Sequence, residues 1–441
     1  MAAGSADTMH KSGGLSLFMT RYMKLVSVAT LVLGPAIPSW SQTMMRTTGG
    51  TVIVPDSSIA RPGDAGQRMH TAVRIFIPDG GVVTPAASVA PQGETPASLA
   101  CIYKLVAGAT KTCNPATVTT LPTGGSGAIG IVDAYHDPNA AADLKAYSTQ
   151  WGLPAAKLKV VYAAQGMSTT TTTPPPQDST GSWEFEESLD IEMAHAMAPS
   201  ATIYLVEAYS NSDSDLFPAV VLASNLVSAA GGGEVSMSWS GTEFSGETGY
   251  DTSTFATAGI VYFACAGDAA GANYPCTSPN VVCVGGTTLS RNPATGDFEQ
   301  QSAWSDTGGG ISAYESIPSY QSAISSIVGT QRGVPDVAFV ADTRTPVYVY
   351  DSTPINGQSG SWWLAGGTSV GTPAWAGIAN VSGRKYKSTS AELTTIYGEL
   401  GVTTDFTDIV TGNCGYYAGL LAQKGWDQCT GVGVDAGRAG K

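Results

Sequence analysis

Ser369 lies in a glycine-rich turn, a setting that suits a nucleophile. Two glycines precede it, and an apolar, alanine-rich stretch with helical character follows from Gly371 onward. A turn exposes a hydroxyl group, and the N-terminus of a following helix favours negative charge that develops nearby. On this segment alone, a serine that caps the helix is the commoner explanation. A catalytic role therefore requires a base elsewhere in the chain.

The order of residues along the chain disfavours a histidine base. Residues 367–371 fit the G-x-S-x-G pattern of the α/β-hydrolases, but in that fold the histidine follows the serine. All four histidines of this chain precede Ser369: His10, His70, His136 and His195. A subtilisin-like order of Asp, His and Ser would permit Asp133 with His195. However, His195 lies in a predicted amphipathic helix and lacks the glycine that normally follows such a histidine, so we interpret it as a structural residue, at the surface or semi-buried.

The most acidic short segment, residues 184–192, supplies a different base. Glu186 and Asp190 are four residues apart, which on a helix places both carboxylates on one face and within reach of each other. Two like charges so close cannot both ionise cheaply, so the pair is expected to share a proton. The commoner explanation for such a run is an acidic first turn that complements the helix dipole. Glu187 competes with Glu186, at three-residue spacing from Asp190.

A larger set of motifs shifts the balance toward chemistry. They occur in order from about Gly127 to about Gly433, and they comprise residues 130–135, 137–139, 186–199, 235–239, 266–268, 274–275, 278–279, 284–289, 333–337, 367–373 and 425–427. Each motif is weak by itself, whereas the ordered set is highly specific. The set resembles the sedolisin family, the serine-carboxyl peptidases, which implies a subtilisin-like fold.

The resemblance implies a role for each matching residue. Ser369 would be the nucleophile, Glu186 its general base, Asp190 the residue that orients Glu186, and Asp268 the oxyanion-hole carboxyl. The family spacing E-x-x-x-D selects Glu186 over Glu187. Because a carboxyl group donates to an oxyanion only while protonated, the implied enzyme is an endopeptidase that acts in acid.

Two other functions compete with the peptidase. A catalytically inactive, secreted binding protein with the sedolisin fold is the alternative, but such a relative would be expected to have lost at least one of the four residues. A glycosidase is poorly supported, because two carboxylates four residues apart on one helix do not flank a sugar from opposite faces. Trp239 is interpreted either as the wall of a substrate subsite or as a core residue.

The C-terminal part of the chain resembles the calcium site of the same family. The resemblance implies side-chain oxygens from Asp408 and Asp427, and backbone oxygens from Ile409, Gln423 and Gly425. Hard oxygen ligands of this kind suit one structural Ca²⁺ ion. Position 423 is Gln where the family usually has Gly, and a positive φ there would be strained.

The segments around these residues alternate between strands and helices. Short apolar runs predict strands at 127–133, 203–206, 235–239, 260–264 and 281–284, and helical stretches are predicted at 139–151 and 187–197. This alternation predicts an α/β fold with a doubly wound, mostly parallel sheet and helices on both faces.

The chain is divided by these predictions into three regions. Residues 42–125 are interpreted as a short N-terminal extension or prosegment, and residues 126–441 as the peptidase domain. The extension is much shorter than the folded prodomain typical of the family, which leaves the control of activation open. Residues 1–41 are interpreted as a secretory signal, because Arg21 and Lys24 precede an apolar run and small residues follow it. Met23 is an alternative start.

The composition suits a secreted enzyme. The chain has 53 glycines, only 13% charged residues and a net charge of -14, without clusters of Lys or Arg. Nucleic acid is therefore excluded as a partner. No apolar stretch is long enough to span a bilayer, so we expect no stable membrane association, and we expect a monomer that acts on protein or peptide substrates.

Seven cysteines in a secreted chain suggest disulfide bonds. Short loops would be closed by Cys101 with Cys113, Cys276 with Cys283, and Cys414 with Cys429. Cys265 would then remain as a buried thiol. Sequence alone leaves this connectivity open.

Overall fold

The computed structural model describes residues 43–85, 92–108, 112–125, 127–415, 420–437 and 441. The predicted secretory signal over residues 1–41 lies outside the described residues. The described residues, from Thr43 onward, form one compact unit.

The strands vary from two to ten residues in length. In chain order they are β1 (Thr43–Thr47), β2 (Gly50–Val54), β3 (His70–Thr71), β4 (Arg74–Pro78), β5 (Ala128–Ala134), β6 (Lys157–Ala163), β7 (Thr170–Thr171), β8 (Thr202–Ala208), β9 (Gly233–Met237), β10 (Trp239–Thr242), β11 (Ile260–Cys265), β12 (Asn273–Tyr274), β13 (Val282–Arg291), β14 (Phe298–Ala303), β15 (Gly310–Ser316), β16 (Gln331–Val334), β17 (Val337–Val340), β18 (Val347–Asp351), β19 (Ser361–Gly366), β20 (Phe406–Thr407), β21 (Asn413–Cys414), β22 (Leu420–Leu421) and β23 (Val434–Asp435).

The helices connect the strands of the central sheet and flank it. They are α1 (Pro96–Ile102), α2 (Ala140–Trp151), α3 (Ser182–Met197), α4 (Asp213–Ala229), α5 (Thr248–Ser253), α6 (Ser325–Val328), α7 (Gly371–Ser382) and α8 (Thr389–Gly398).

The central sheet has the order β20-β23-β17-β13-β11-β9-β5-β8-β6-β7, with β14 paired to β13. All neighbours from β23 to β6 are parallel, and β20, β7 and β14 add antiparallel pairs at the margins. The predicted doubly wound, mostly parallel sheet is confirmed.

The two faces of this sheet contribute to two hydrophobic cores. In β5, Ile129 and Ile131 belong to the core that contains α3 and α7, whereas Val132 belongs to the core that contains α4. This alternation follows from the two-residue period of a strand. Because helices cover both faces, the strands are apolar on both sides and β5 is buried throughout.

The N-terminal strands join a second sheet instead of forming a separate layer. Its order is β1-β2-β4-β19-β18, so β4 pairs with the strand that leads into the glycine-rich turn at Ser369. The preceding strand, β3, pairs antiparallel with β10. Residues of the predicted extension therefore pack against both sides of the region that holds Ser369.

Three disulfides close short loops, as the sequence suggests. They join Cys101 to Cys113, Cys276 to Cys283 and Cys414 to Cys429, and Cys265 is a buried free thiol. Within the described part of the chain, no helix has the length and apolar character that crossing a membrane requires.

Candidate active site

The turn before α7 fixes the position of Ser369. β19 ends at Gly366, Gly367 has φ of +106°, and a 3₁₀ turn over Thr368–Val370 leads directly into the helix. A β-carbon on Gly367 would lie 2.1 Å from the carbonyl oxygen of Ala72, so both the backbone angle and the space require glycine. Ser369 consequently lies at the N-terminal end of α7, where the sequence places it.

The hydroxyl of Ser369 contacts backbone groups from two other elements. Its Oγ donates a hydrogen bond to the carbonyl oxygen of Ser238 at 3.1 Å, and it accepts one from the N–H of Ala72 at 3.1 Å. Ser369 is fully buried in this arrangement. The nucleophile is therefore covered by the N-terminal part of the same chain.

Helix α3 carries the acidic pair, and it is buried along its whole length. The helix begins after Gly181, which has φ of +73°, and the carboxylate of Asp178 accepts hydrogen bonds from the N–H groups of Ser182 and Trp183. In its first turn the acidic residue is Glu184. Glu186 lies beyond that turn, so its presence is not explained by the helix dipole.

Glu186 and Asp190 face each other and the Ser369 hydroxyl inside the protein. Burial raises the pKa of both carboxyls well above the usual range, and the charge of Asp133 raises each pKa further. The two carboxyls also interact with each other, and both pKa values remain raised. Neither oxygen of Glu186 accepts a hydrogen bond of ordinary geometry, because the Ser369 hydroxyl donates to the carbonyl oxygen of Ser238. The Ser369 hydroxyl nevertheless lies close enough to Glu186 to lower the pKa of that carboxyl.

Ser238 supports both partners, and sequence reasoning did not single it out. Its Oγ donates to Oδ1 of Asp190 at 2.7 Å, while its carbonyl accepts from Ser369. The residue follows β9 directly, at the carboxyl end of a central strand. This end of a parallel sheet is where ligands usually bind, and the motif at residues 235–239 was the available signal.

Three other acidic or histidine side chains on or near α3 have different surroundings from Glu186 and Asp190. Glu187 faces Glu207. Burial raises the pKa of Glu187, and the charge of Glu207 raises it further. Asp133 is buried without a hydrogen-bond partner, and burial raises its pKa to about 8. His195 is fully buried, with Nε2 2.9 Å from the carbonyl oxygen of Pro154. The expectation of a surface or semi-buried histidine is wrong, since α3 is covered on every side.

Asp268 lies beside the backbone of Ser369 and Thr368. Its Oδ1 accepts hydrogen bonds from the N–H and the hydroxyl of Thr368, at 2.8 and 3.0 Å. A β-carbon added to Gly367 would lie 2.7 Å from Oδ2 of Asp268 and 2.1 Å from the carbonyl oxygen of Ala72. These two oxygens are therefore neighbours. Burial raises the pKa of Asp268 to about 6, against the opposing charge of Arg74, whose Nε is 3.6 Å from Oδ2.

Trp239 is a core residue. It is fully buried, its indole nitrogen donates to the carbonyl oxygen of Val132 at 2.7 Å, and its ring packs against Phe217. Of the two interpretations of this tryptophan, the structure supports the core one.

The predicted calcium ligands lie on one C-terminal loop and a nearby strand end. Oδ2 of Asp408 accepts from the N–H of Gly425, and Oδ2 of Asp427 accepts from the N–H of Gln423. Oδ1 of Asp408 is buried without a hydrogen-bond partner. Gln423 is not among the described residues with positive φ, so the side chain at this position causes no strain.

The assembled site has a distinct chemical class. A serine at the start of a helix, a buried carboxyl pair beside its hydroxyl, and a third carboxyl beside the serine backbone form a serine-carboxyl arrangement on a subtilisin-like sheet.

Comparisons with known proteins agree with this class. No protein-family model matches the chain. It is 26% identical over 370 residues to sedolisin of Pseudomonas sp. (strain 101), which covers 75% of this chain and 60% of that protein. It is 31% identical over 288 residues to kumamolisin of Bacillus sp. (strain MN-32), covering 57% and 49%. The chain thus spans less than two thirds of the length of these relatives.

A solved structure shares the fold. Pseudomonas sedolisin, a serine-carboxyl proteinase complexed with two molecules of pseudo-iodotyrostatin, superimposes with a TM-score of 0.62 at 24% identity, over 78% of this chain and 95% of that one. The chain is therefore similar to the sedolisins in sequence and shares the fold of Pseudomonas sedolisin.

Proposed function

We propose that this chain is a secreted serine-carboxyl endopeptidase that acts in acid. The observation that carries the proposal is the buried carboxyl pair of Glu186 and Asp190 beside the hydroxyl of Ser369, with Asp268 adjacent to the serine backbone. The sequence similarity to sedolisin and kumamolisin supports the same activity. Its substrates would be proteins or peptides, bound as extended chains.

The geometry supports the following division of labour. Glu186 takes the proton of Ser369 as Oγ attacks the substrate carbonyl carbon, and it returns that proton to the departing amine. Asp190 holds Glu186 in place and shares its proton, while the Ser238 hydroxyl orients Asp190. The N–H of Ser369 and the protonated Asp268 donate to the oxyanion.

Acid conditions are required by the last of these roles. Asp268 has a pKa raised to about 6, so it loses the proton that it must donate as the pH rises through that value. Activity is therefore expected to fall on the alkaline side of about pH 6.

The test measures hydrolysis of a denatured protein substrate, from acid to neutral pH, by purified full-length protein that has been incubated in acid. Ser369→Ala and Glu186→Gln should each remove most hydrolysis while the melting temperature stays close to that of the wild type. Glu187→Gln is the matched control, because the adjacent carboxyl faces Glu207 and should be dispensable. Full activity of the Ser369 variant, or a wild-type optimum above neutral pH, would refute the proposal.

We also propose one structural Ca²⁺ ion at the C-terminal loop. Asp408 and Asp427 would hold it with side-chain oxygens, and Ile409, Gln423 and Gly425 with backbone carbonyls. The unpartnered, buried Oδ1 of Asp408 fits this role. The described residues contain no cluster of three or more His, Cys, Asp or Glu that could hold a metal, so the site would depend on these carbonyls.

A further inference from the structure

Residues 67–72, which we name the inserted segment, lie between two walls that other parts of the chain provide. On one side, residues 70–71 pair antiparallel with residues 239–240 of β10. The other wall is formed by residues 211–213, which comprise the loop after β8 and the first residue of α4. A peptide that adds a strand to an exposed sheet edge is bound in this manner.

The second wall contacts the backbone of the inserted segment. Arg68 forms an antiparallel bridge with Ser212. The N–H of Asp213 donates to the carbonyl oxygen of Gln67 at 3.0 Å. A β-carbon added to Gly241 of β10 would lie 3.3 Å from the carbonyl oxygen of Arg68, so the first wall lies against the same residue. The space between the walls therefore fits one extended chain.

The register of the inserted segment is fixed at Ser369. The N–H of Ser369 donates to the carbonyl oxygen of Ala72 at 3.0 Å. In serine proteases this N–H group belongs to the oxyanion hole, which holds the carbonyl of the bond to be cut. Counted back from that carbonyl, with Ala72 as the first residue, Met69 is the fourth. The contacts of Met69 therefore show where the fourth residue before the cut would lie in a substrate.

Asn211 bonds to both backbone groups of Met69. Its carbonyl oxygen accepts from the N–H of Met69 at 3.0 Å, and its side-chain Nδ2 donates to the carbonyl oxygen of Met69 at 2.8 Å. Every residue type except proline presents these two groups in the same form. A paired contact of this kind recognises an extended backbone and is indifferent to the side chain that the backbone carries.

The side-chain amide of Asn211 is held in one orientation. Its Oδ1 accepts from the hydroxyl of Tyr135 at 3.3 Å and from Nη1 of Arg68 at 3.4 Å. Because a guanidinium group only donates, the NH₂ group must point the other way, toward Met69. Arg68 belongs to the inserted segment, whereas Tyr135 lies outside it. Tyr135 would therefore still orient Asn211 when another chain lies between the walls.

Tyr135 has a backbone conformation that is unusual for a bulky residue. It directly follows β5 and has φ of +75°, in the left-handed region. Its N–H donates to the carbonyl oxygen of Ala208 at 2.8 Å, and its ring contacts that of Trp183, with 6.2 Å between centroids. Strain of this kind is concentrated in functional sites. The strain is explained if the Tyr135 hydroxyl has to reach Asn211.

We propose that Asn211 is a substrate-positioning residue, which binds the backbone of the fourth residue before the scissile bond, and that Tyr135 holds its side-chain amide ready for this contact. The proposal rests on the peptidase function proposed above. The ligand would be any extended peptide with at least four residues before the cut and a residue other than proline at the fourth place. Shorter peptides would be poorer substrates.

Nested peptides test the proposal on purified full-length protein that has been incubated in acid. A bond that the wild type cuts in a denatured protein is located by mass spectrometry, and peptides are made with two to five residues before that bond. Because the fourth residue adds two backbone hydrogen bonds, kcat/KM should rise about tenfold between three and four residues. A series without this rise would overturn the proposal.

Variants assign the rise to the two side chains. Asn211→Ala keeps the backbone carbonyl but loses the amide, so the rise should shrink about fivefold. Tyr135→Phe, which frees the amide to turn, should shrink the rise by a smaller factor. Tyr209→Phe is the matched control, because Tyr209 is 39% exposed in the same loop, and it should keep the full rise. A full rise in Asn211→Ala would contradict the assignment.

Modified peptides test the same contact without any change to the protein. N-methylation of the fourth residue removes the N–H that would bond to the carbonyl of Asn211, and it should cost the wild type most of the rise. N-methylation of the fifth residue is the control, because the corresponding N–H of Arg68 bonds to Asp64 and not to either wall. Equal losses from both modifications would refute the contact.

The outcomes separate this proposal from the function on which it rests. If the wild type cuts denatured protein but shows no rise at the fourth residue, the role of Asn211 fails and the peptidase stands. If the wild type cuts neither denatured protein nor any peptide, the proposed function itself fails.

Discussion

Asp268 has two carboxyl oxygens with different surroundings, and the difference bears on its proposed role. Oδ1 is bonded to Thr368, while Oδ2 has no hydrogen-bond partner and lies near the Ala72 carbonyl oxygen. A structural carboxylate would be expected to satisfy both oxygens, since an unpaired buried oxygen is costly. The unpaired oxygen is explained if it carries a proton when substrate binds.

Substitution of Asp268 tests this division. In Asp268→Asn the amide oxygen can keep the bonds to Thr368, which directs the NH₂ group toward the oxyanion. The variant should retain part of the turnover and lose less of it above about pH 6 than the wild type does. Asp268→Ala should lower kcat by about 10²–10³-fold with little change in KM.

The pH dependence of turnover for both variants is the measurement. Asp306→Asn is a suitable control, because Asp306 also contacts Arg74 but its side chain is one third exposed. Equal profiles for Asp268→Asn and the wild type would contradict the oxyanion role.

Arg74 opposes Asp268 electrostatically, which makes a separate prediction. Its positive charge lowers the pKa of Asp268, so Arg74→Gln should raise that pKa. If the protonated carboxyl is the active form, the alkaline limb of the proposed proteolysis moves to higher pH. The initial rate of hydrolysis of a denatured protein substrate, measured across pH, reports the shift. Arg61→Gln should leave the limb in place, and a shift of the Arg74 variant to lower pH would contradict the argument.

At the scale of elements, strands and helices of the central sheet were predictable because each is locally encoded. The run at residues 127–133 became β5 (Ala128–Ala134), and the helix predicted at 139–151 became α2 (Ala140–Trp151). α3 begins five residues before its predicted start at 187, since its first residues carry no apolar period; burial on all sides removes the amphipathic pattern.

The position of residues 69–78 beside Ser369 was not predictable in the same way. β3 has two residues, and its position depends on partners such as Trp239 that are far away along the chain. The pairing of Ala72 with Ser369 spans 297 residues. The four candidate catalytic residues were found from spacing and family motifs, whereas Ser238 and Arg74 act through contacts that no local pattern records.

The C-terminal loop offers a prediction about metal removal. If Ca²⁺ binds between Asp408 and Asp427, a chelator should lower the melting temperature and added Ca²⁺ should restore it, because a ligand of the native state stabilises that state. Asp408→Asn should abolish this Ca²⁺ dependence. Glu299→Gln, at an exposed position, should preserve it. Identical melting with chelator and with Ca²⁺ would refute the site.

The whole molecule contains many buried carboxyls with little compensating positive charge. Burial raises the pKa of each of five such groups near α3 to between about 7 and about 9: Asp133, Asp137, Glu184, Glu207 and Asp351. Each stays protonated in the folded protein at pH values where the unfolded chain has lost the proton.

The sign of the effect on stability follows from linkage. A carboxyl whose folded pKa is raised stabilises the fold fully below its unfolded pKa near 4, and this stability is lost as the pH rises through the folded value. Burial lowers the pKa of histidines such as His195, so the stability that they contribute is lost as the pH falls below 6.5. This effect opposes that of the carboxyls, but the carboxyls are more numerous. The melting temperature should therefore fall between about pH 4 and about pH 8.

Thermal unfolding of Ser369→Ala across this range is the appropriate measurement, because the variant cannot digest itself. A melting temperature that rises steadily from pH 4 to pH 8 would contradict the linkage argument.

The position of the cysteines has a consequence for the attachment of the N-terminal strands. Every cysteine lies at or after residue 101, so no disulfide ties residues 43–78 to the rest of the chain. These residues are held over Ser369 by the pairing of β3 with β10 and of β4 with β19, and by apolar packing. Solvent conditions therefore control this attachment, whereas the redox state of the surroundings does not.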